Sequence, residues 1–285
     1  MAIGDISQKV NGQLEFDTTN ATNKSVVYLA GEYYAIAYRG ENDDGWLKTI
    51  KITNSGTEVT VIDSLEFADA TTTHDTRILH VSGNIYAIFY VNGNNVNVVT
   101  VSISDAGVIN PVIVDGPDQI ALGYTLTAMD AIEVGTGMFA FAYSAGGPSK
   151  TIKTWGISLA GAIDAAVTDT LTLGGLGSKF TWQHVGGTMY ALAHQSVNDY
   201  VVVTIGIDSL GNIDAAITES YTFYTNIGSI SYGSVCEVVL GVYAVCYRNP
   251  NTNQIVVDTL SITTSGDIWG AVLDTINVEA VTVGA

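Results

Sequence analysis

The amino-acid sequence predicts an all-β protein made of five repeated units, each a four-stranded antiparallel sheet. Three observations carry that expectation. First, the phrase Tyr34-Ala35-Ile36-Ala37-Tyr38 returns at Tyr86-Ala87-Ile88-Phe89-Tyr90, Phe139-Ala140-Phe141-Ala142-Tyr143, Tyr190-Ala191-Leu192-Ala193-His194 and Tyr243-Ala244-Val245-Cys246-Tyr247, at steps of 52, 53, 51 and 53 residues. A fixed period of that size marks a modular architecture. Second, other columns keep the same register. A Thr-led phrase begins at Thr49, Thr100, Thr154, Thr204 and Thr259. A turn glycine follows at Gly56, Gly107, Gly161, Gly211 and Gly266, then an acid at Asp63, Asp115, Asp169, Glu219 and Asp274. Third, no segment sustains a 3.6-residue apolar period, and β-branched and aromatic residues dominate.

Within a unit the first strand is Val26-Val27-Tyr28-Leu29-Ala30. A tight turn near Gly31 (Gly83, Gly187 and Gly241 elsewhere) leads into the second, Tyr33 to Tyr38. The third is Leu47 to Ile52. Turns such as Asn54-Ser55-Gly56 and Asp105-Ala106-Gly107 tolerate positive φ and suit a hairpin. The fourth strand runs from Val59 to about Phe67. The units are placed at about 26–78, 79–131, 132–182, 183–235 and 236–285, in one domain over 26–285. Residues 1–25 form an N-terminal segment with a spare or ring-closing strand. Its Gln13-Leu14-Glu15-Phe16 matches Ser64-Leu65-Glu66-Phe67, yet the fifth unit has its own version, Asp274-Thr275-Ile276-Asn277-Val278.

The second strand is apolar on both faces, with Tyr34, Ile36 and Tyr38 on one side and Ala35 and Ala37 on the other. A strand buried on both sides needs a covering layer on each face. Four-stranded units stacked face to face around an axis supply one, which makes the expected fold a five-bladed β-propeller. An open superhelix is the alternative. The chain resembles the β-propeller superfamily, including small five-bladed propellers such as the tachylectin-2-like lectins. The resemblance spans essentially the whole chain, and it implies a fold and not an activity.

Composition narrows the partners. The chain has 285 residues, 47% hydrophobic, ample for a core. Ten basic residues face 28 acidic ones, a net charge of −18, which repels phosphate backbones and disfavours nucleic acid. No basic cluster suits anionic lipid and no stretch reaches a membrane span, so no membrane insertion is expected. Met1-Ala2-Ile3-Gly4-Asp5 leads straight into polar sequence, so no signal peptide is visible. Cys236 and Cys246 lie on the two strands of one hairpin. They read either as small core residues or as a cross-strand disulfide.

Chemistry concentrates in one column of the innermost strand: Tyr28, His80, Glu133, His184 and Glu237, flanked by apolar neighbours such as Val27, Leu29, Leu79, Val81, Ile132 and Val134. Alternation aims these polar residues at the channel. Two readings fit. One is a hydrogen-bonded polar plug. The other is a divalent metal held by His80, Glu133, His184 and Glu237. The acidic column precedes Ser, Gly or Thr in every unit, a pattern in which the carboxylate fixes a local bend. Arg39, Arg77 and Arg248 do not form the repeated triad that a sialidase needs. Five-bladed glycosidases place catalytic carboxylates on inner strands, and Glu133 and Glu237 are the only carboxylates of the channel column. Trp155 sits in a core column. Trp46, Trp182 and Trp269 are not repeated and lie near strand ends or turns, where an aromatic ring stacks on sugar or anchors a protein.

The functional expectation is a non-catalytic binding or structural module, not an enzyme, of a virion or cell-surface appendage. A protein partner or self-association through the spare strand is expected. The alternatives are a glycan-binding lectin and a glycoside hydrolase using the channel carboxylates. No cofactor is implied beyond the divalent metal of the second channel reading.

Overall fold

The computed structural model describes residues 21–56, 58–69, 73–121, 126–145, 150–174, 177–196, 199–224, 233–249, 254–270 and 272–278. The expected Gln13–Phe16 strand lies outside them. The protein is an all-β, five-bladed β-propeller of four-stranded antiparallel sheets. Each blade is a meander whose strands pair in chain order. The first holds β1 (Thr22–Ala30), β2 (Tyr33–Arg39), β3 (Gly45–Ile52) and β4 (Val59–Ala68). The second holds β5 (Thr73–Ser82), β6 (Ile85–Asn92), β7 (Asn95–Ser102) and β8 (Asp115–Ala121). The third holds β9 (Leu126–Gly135), β10 (Met138–Ala145), β11 (Lys150–Gly156) and β12 (Asp169–Thr172). The fourth holds β13 (Gly177–Gly186), β14 (Met189–Ser196), β15 (Asp199–Gly206) and β16 (Glu219–Tyr224). The fifth holds β17 (Gly233–Val239), β18 (Val242–Asn249), β19 (Gln254–Ser261) and β20 (Asp274–Val278). Helix is limited, among the described residues, to one 3-10 turn at Glu41–Asp43. Each sheet begins a few residues upstream of the unit boundary read from the sequence, because a repeat pattern has a period but no intrinsic starting phase.

The core lies between blades. The aromatic face of the second strand packs on the small-residue face of the preceding blade in the second to fifth blades. Tyr86, Ile88 and Tyr90 meet Ala35 and Ala37; Phe139, Phe141 and Tyr143 meet Ala87 and Phe89. Tyr190 and Leu192 meet Ala140 and Ala142; Tyr243, Val245 and Tyr247 meet Ala191 and Ala193. Small residues on one face make room for rings on the other, which explains why the repeated phrase alternates in size.

Two polar latches fasten each of these four seams. The Thr of the third strand donates its hydroxyl to the turn-glycine carbonyl of the next blade: Thr49 to Gly107, Thr100 to Gly161, Thr154 to Gly211 and Thr204 to Gly266, at 2.5–2.7 Å. The acidic column does two jobs. One oxygen accepts from the following residue, as in Ser64 N to Asp63 at 2.8 Å and Thr170 N to Asp169 at 2.7 Å. The other accepts a backbone N–H of the next blade: Ile109 to Asp63, Ile163 to Asp115, Ile213 to Asp169 and Ile268 to Glu219. The local bend expected from sequence is present, and the same side chain also crosses the seam.

The fifth blade lacks these latches to the first among the described residues. The Thr259 hydroxyl turns to the Asp274 carbonyl of its own blade at 3.4 Å, and a Cβ built on Gly56 would meet nothing within 4 Å. Ile36, Tyr38 and Ile50 form a cluster without any residue of the fifth blade. Cys236 registers with Ala244 and Cys246 with Ser234, so the two cysteines are not cross-strand partners, and both are free.

Candidate functional site

The channel column sits at one register position of β1, β5, β9, β13 and β17. Tyr28 faces Tyr34, His80 faces Tyr86, Glu133 faces Phe139, His184 faces Tyr190 and Glu237 faces Tyr243. All five side chains are solvent-exposed. Their neighbours Val27, Leu29, Leu79, Val81, Ile132 and Val134 pack into the inter-blade clusters, and the hydrogen bonds of the two histidines are local. His80 Nε2 lies 2.9 Å from the Gly83 carbonyl, and His184 Nε2 lies 3.1 Å from that of Gly187. Each imidazole therefore closes its own hairpin turn and rests against its cross-strand tyrosine, His80 edge-on to Tyr86 at 5.1 Å and His184 tilted against Tyr190 at 5.0 Å.

This corrects the metal reading. His80, Glu133, His184 and Glu237 do not bring ligand atoms together at metal-binding separation. Among the described residues only Asp44, Glu66 and Asp69 do so, and two of those three are exposed acids. The physical reason is that the nearest strong acceptor for each imidazole is a carbonyl three residues along its own chain. Reaching the axis would break that bond.

Glu133 has a distinct setting. Partial desolvation pushes its carboxyl above the ordinary glutamate range, and the nearby His80 partly offsets this. The Tyr190 hydroxyl donates to the Val134 carbonyl at 3.0 Å, and burial followed by the Glu133 charge raises its pKa. The second, third and fourth blades thus bring the His80 imidazole, the Glu133 carboxyl with its raised pKa and the buried Tyr190 phenol near one another.

The three tryptophans separate. Trp182 is buried, its N and Nε1 donating to Asp130 Oδ2 (3.1 Å) and to the Asp130 carbonyl (3.3 Å). It is a seam residue and not a ligand contact. Trp46 is half-buried, with its Nε1 enclosed and without a hydrogen-bond partner. Trp269 is 64% exposed after the turn that follows β19, and remains available to a ligand. Trp155 is core, as expected.

Sequence reasoning missed a second constellation. A groove of about 380 Å³ runs between the outer parts of the third and fourth blades, and Lys150, His194 and Ser196, with Thr172 and Ser220, contribute its polar wall. Lys150 is buried and its Nζ donates to Ser196 Oγ at 3.1 Å. His194 is buried, and desolvation together with the Lys150 charge lowers its pKa to about 4. The signal was present: His194 breaks a column of tyrosines (Tyr38, Tyr90, Tyr143, Tyr247), and Lys150 breaks a column otherwise holding Gly45, Val96, Tyr200 and Ile255.

No protein-family model matches the chain, and no curated protein matches it. Its architecture is similar to that of solved structures. The periplasmic gluconolactonase of Pseudomonas aeruginosa aligns at 13% identity over 89% of this chain and 70% of that one, with a TM-score of 0.61. An exo-β-1,3-galactanase of Clostridium thermocellum aligns at 10% identity over 91% and 64%, with a TM-score of 0.51. The SapL1 lectin, solved with α-methyl fucoside, aligns at 11% identity over 88% and 79%, with a TM-score of 0.53. At such identities the likeness shows the β-propeller fold. It also corrects the expectation that the chain is not an enzyme, because the fold it adopts is one that gluconolactonase and galactanase use for catalysis. No helix among the described residues is long and apolar enough to cross a membrane.

Proposed function

We propose that the protein is a carbohydrate-directed hydrolase acting at the inner wall of the propeller, with Glu133 as proton donor to the leaving oxygen and Glu237 as the second carboxylate. The observation that carries the reading is Glu133, whose desolvation favours the acid form that a proton donor needs. Glu237 stands in the same column two blades away. The likeness in fold to a galactanase, a gluconolactonase and a fucoside-binding lectin supports a sugar-like ligand over a virion role. The test is hydrolysis of a panel of chromogenic glycosides and of an aldonolactone. Glu133→Gln should lower kcat at least about a hundredfold, within the usual contribution of general acid catalysis. Retention of full activity in Glu133→Gln refutes the assignment. Glycan binding without turnover of any substrate would replace the hydrolase with a lectin.

A second reading, self-association, rests on the fifth blade. Its alanine-face residues Ala244, Cys246 and Val257 are half-buried, where Ala191 and Ala193 of the fourth blade are fully covered. An apolar groove of about 300 Å³ opens beside Cys246, Tyr247 and Ile255. A second copy of the chain is the occupant, since four seams within the chain already show what this face binds. Light scattering over a range of protein concentrations tests it. Ala244→Asp should shift the population to monomer with unchanged circular dichroism. A wild-type protein that is monomeric throughout would remove this reading.

A further inference from the structure

We infer that the groove between the third and fourth blades is a binding site for a small aliphatic carboxylate, with Lys150 as its counter-ion. The inference is independent of the Glu133 site. It begins with what the fold puts at the same place one seam along. There, Tyr200 and Tyr247 stack at 5.4 Å with an interplanar angle of 27°, and Phe223 closes over both. Lys150 occupies the position of Tyr200, and His194 that of Tyr247. Replacing two stacked rings by an ammonium and an imidazole removes apolar filling, and the groove is the space left.

The replacement also creates an electrostatic problem that a ligand solves. Lys150 is 6% exposed and His194 is 2% exposed. Burying a cation is costly unless it is paired. Among the described residues Lys150 makes no ion pair, although the chain carries 28 acidic side chains and only 10 basic ones. Its hydrogen-bond partner is the neutral Ser196 hydroxyl. The imidazole beside it is a second basic group, and among the described residues its enclosed Nδ1 finds no partner at good hydrogen-bond geometry, only the Gln195 backbone interacting with the ring in that way. A carboxylate supplies what both lack: a negative charge for Lys150 and an oxygen for the imidazole N–H. The remaining wall selects the body of the ligand. Leu171, Leu173, Val201, Val203 and Ile217 outnumber the hydroxyls of Thr172 and Ser220, which suits a short hydrocarbon chain better than a polyhydroxylated sugar acid.

The test uses the full chain and three probes at neutral pH: sodium hexanoate, hexanamide and sodium glucuronate. Isothermal titration should show hexanoate binding, with hexanamide and glucuronate about tenfold weaker or worse. Lys150→Met keeps the stem and deletes the charge. It should bind hexanoate about ten- to a hundredfold more weakly, the range for losing a charge-assisted hydrogen bond. Without ligand it should melt about 2–4 °C higher than the wild type, because a site built against stability gains when its charge is removed. His194→Tyr restores the residue of the other four blades and should also weaken hexanoate, which keeps the test open if Lys150→Met fails to fold. Equal hexanoate affinity in wild type and both variants overturns the proposal. So does absence of binding to the wild type, or tighter binding of glucuronate than of hexanoate.

Discussion

His194 shows what one substitution in a repeat does. In the folded chain its pKa is about 4, below the ordinary 6.5, because burial and the Lys150 charge disfavour the imidazolium. The unfolded chain therefore takes up a proton that the folded chain refuses. The stabilising difference is fully present above pH 6.5 and is lost as pH falls from there toward 4. Chemical denaturation at pH 7 and pH 4.5 should show a loss on the order of 2–3 kcal/mol, taken as about 1.36 kcal/mol per unit. His194→Tyr should abolish that part of the acid sensitivity. Glu133 gives the second residue-scale prediction. A proton donor works in its acid form, so hydrolysis falls as pH rises through its raised pKa. His80 lowers that pKa, hence His80→Ala should move the basic limb of the pH–rate profile to higher pH. A limb that stays in place or moves down would separate Glu133 from the rate.

At the scale of elements, four seams of the propeller are each held by a hydroxyl and a carboxylate. Thr204 is fully buried and its bond to Gly266 is 2.7 Å, so Thr204→Val leaves a buried carbonyl unpaired. Urea titration should show a loss of about 1–3 kcal/mol. Thr259 occupies the same column in the fifth blade but reaches only its own Asp274 carbonyl at 3.4 Å. Thr259→Val should cost less than about 0.5 kcal/mol. Equal effects would mean that the fifth seam is latched like the others. The turn glycines make the same distinction. At Gly211, φ is +87° and a Cβ would lie 2.6 Å from Met138 Sδ, whereas at Gly56, φ is +66° and the space is open. Alanine at Gly211 therefore carries both backbone strain and a clash, and should destabilise more than alanine at Gly56.

For the whole molecule the governing quantities are the net charge of −18 and the number of seams. Self-repulsion of that size opposes the compact state. Raising ionic strength from about 0.01 to 0.15 M shortens the screening length from about 30 to 8 Å. The melting temperature should rise with added sodium chloride, and an unchanged or falling value would show that the acids are locally compensated. Among the described residues each internal blade is covered on both faces, while the fifth contributes a buried face only to the fourth. It also exposes Val238, Val239 and Leu240 at 60–82%. Hydrogen exchange should therefore be faster in β18 and β19 than in β10 and β14, and self-association should slow it.

The amino-acid sequence by itself determined the number of units, the order of strands within each and the two-sided burial of the second strand. Those features follow from alternation over five or six residues and from a period that five copies repeat. Tyr34, Ala35, Ile36 and Ala37 carry that information locally. The sequence also marked Asp63 and its equivalents as bend-forming acids, and the inner column as polar residues on an apolar strand. Only the tertiary structure decided what lies across a seam. Asp63 meets Ile109 and Thr204 meets Gly266, residues 46 and 62 positions apart, and such pairs depend on how one blade rotates against the next. The same holds for Trp182, which the seam buries, and for His80 and His184, whose Nε2 atoms bond at their own turns. Lys150 and His194 were visible as breaks in two columns. That the breaks face each other across one groove is a property of blade packing, which no single repeat encodes.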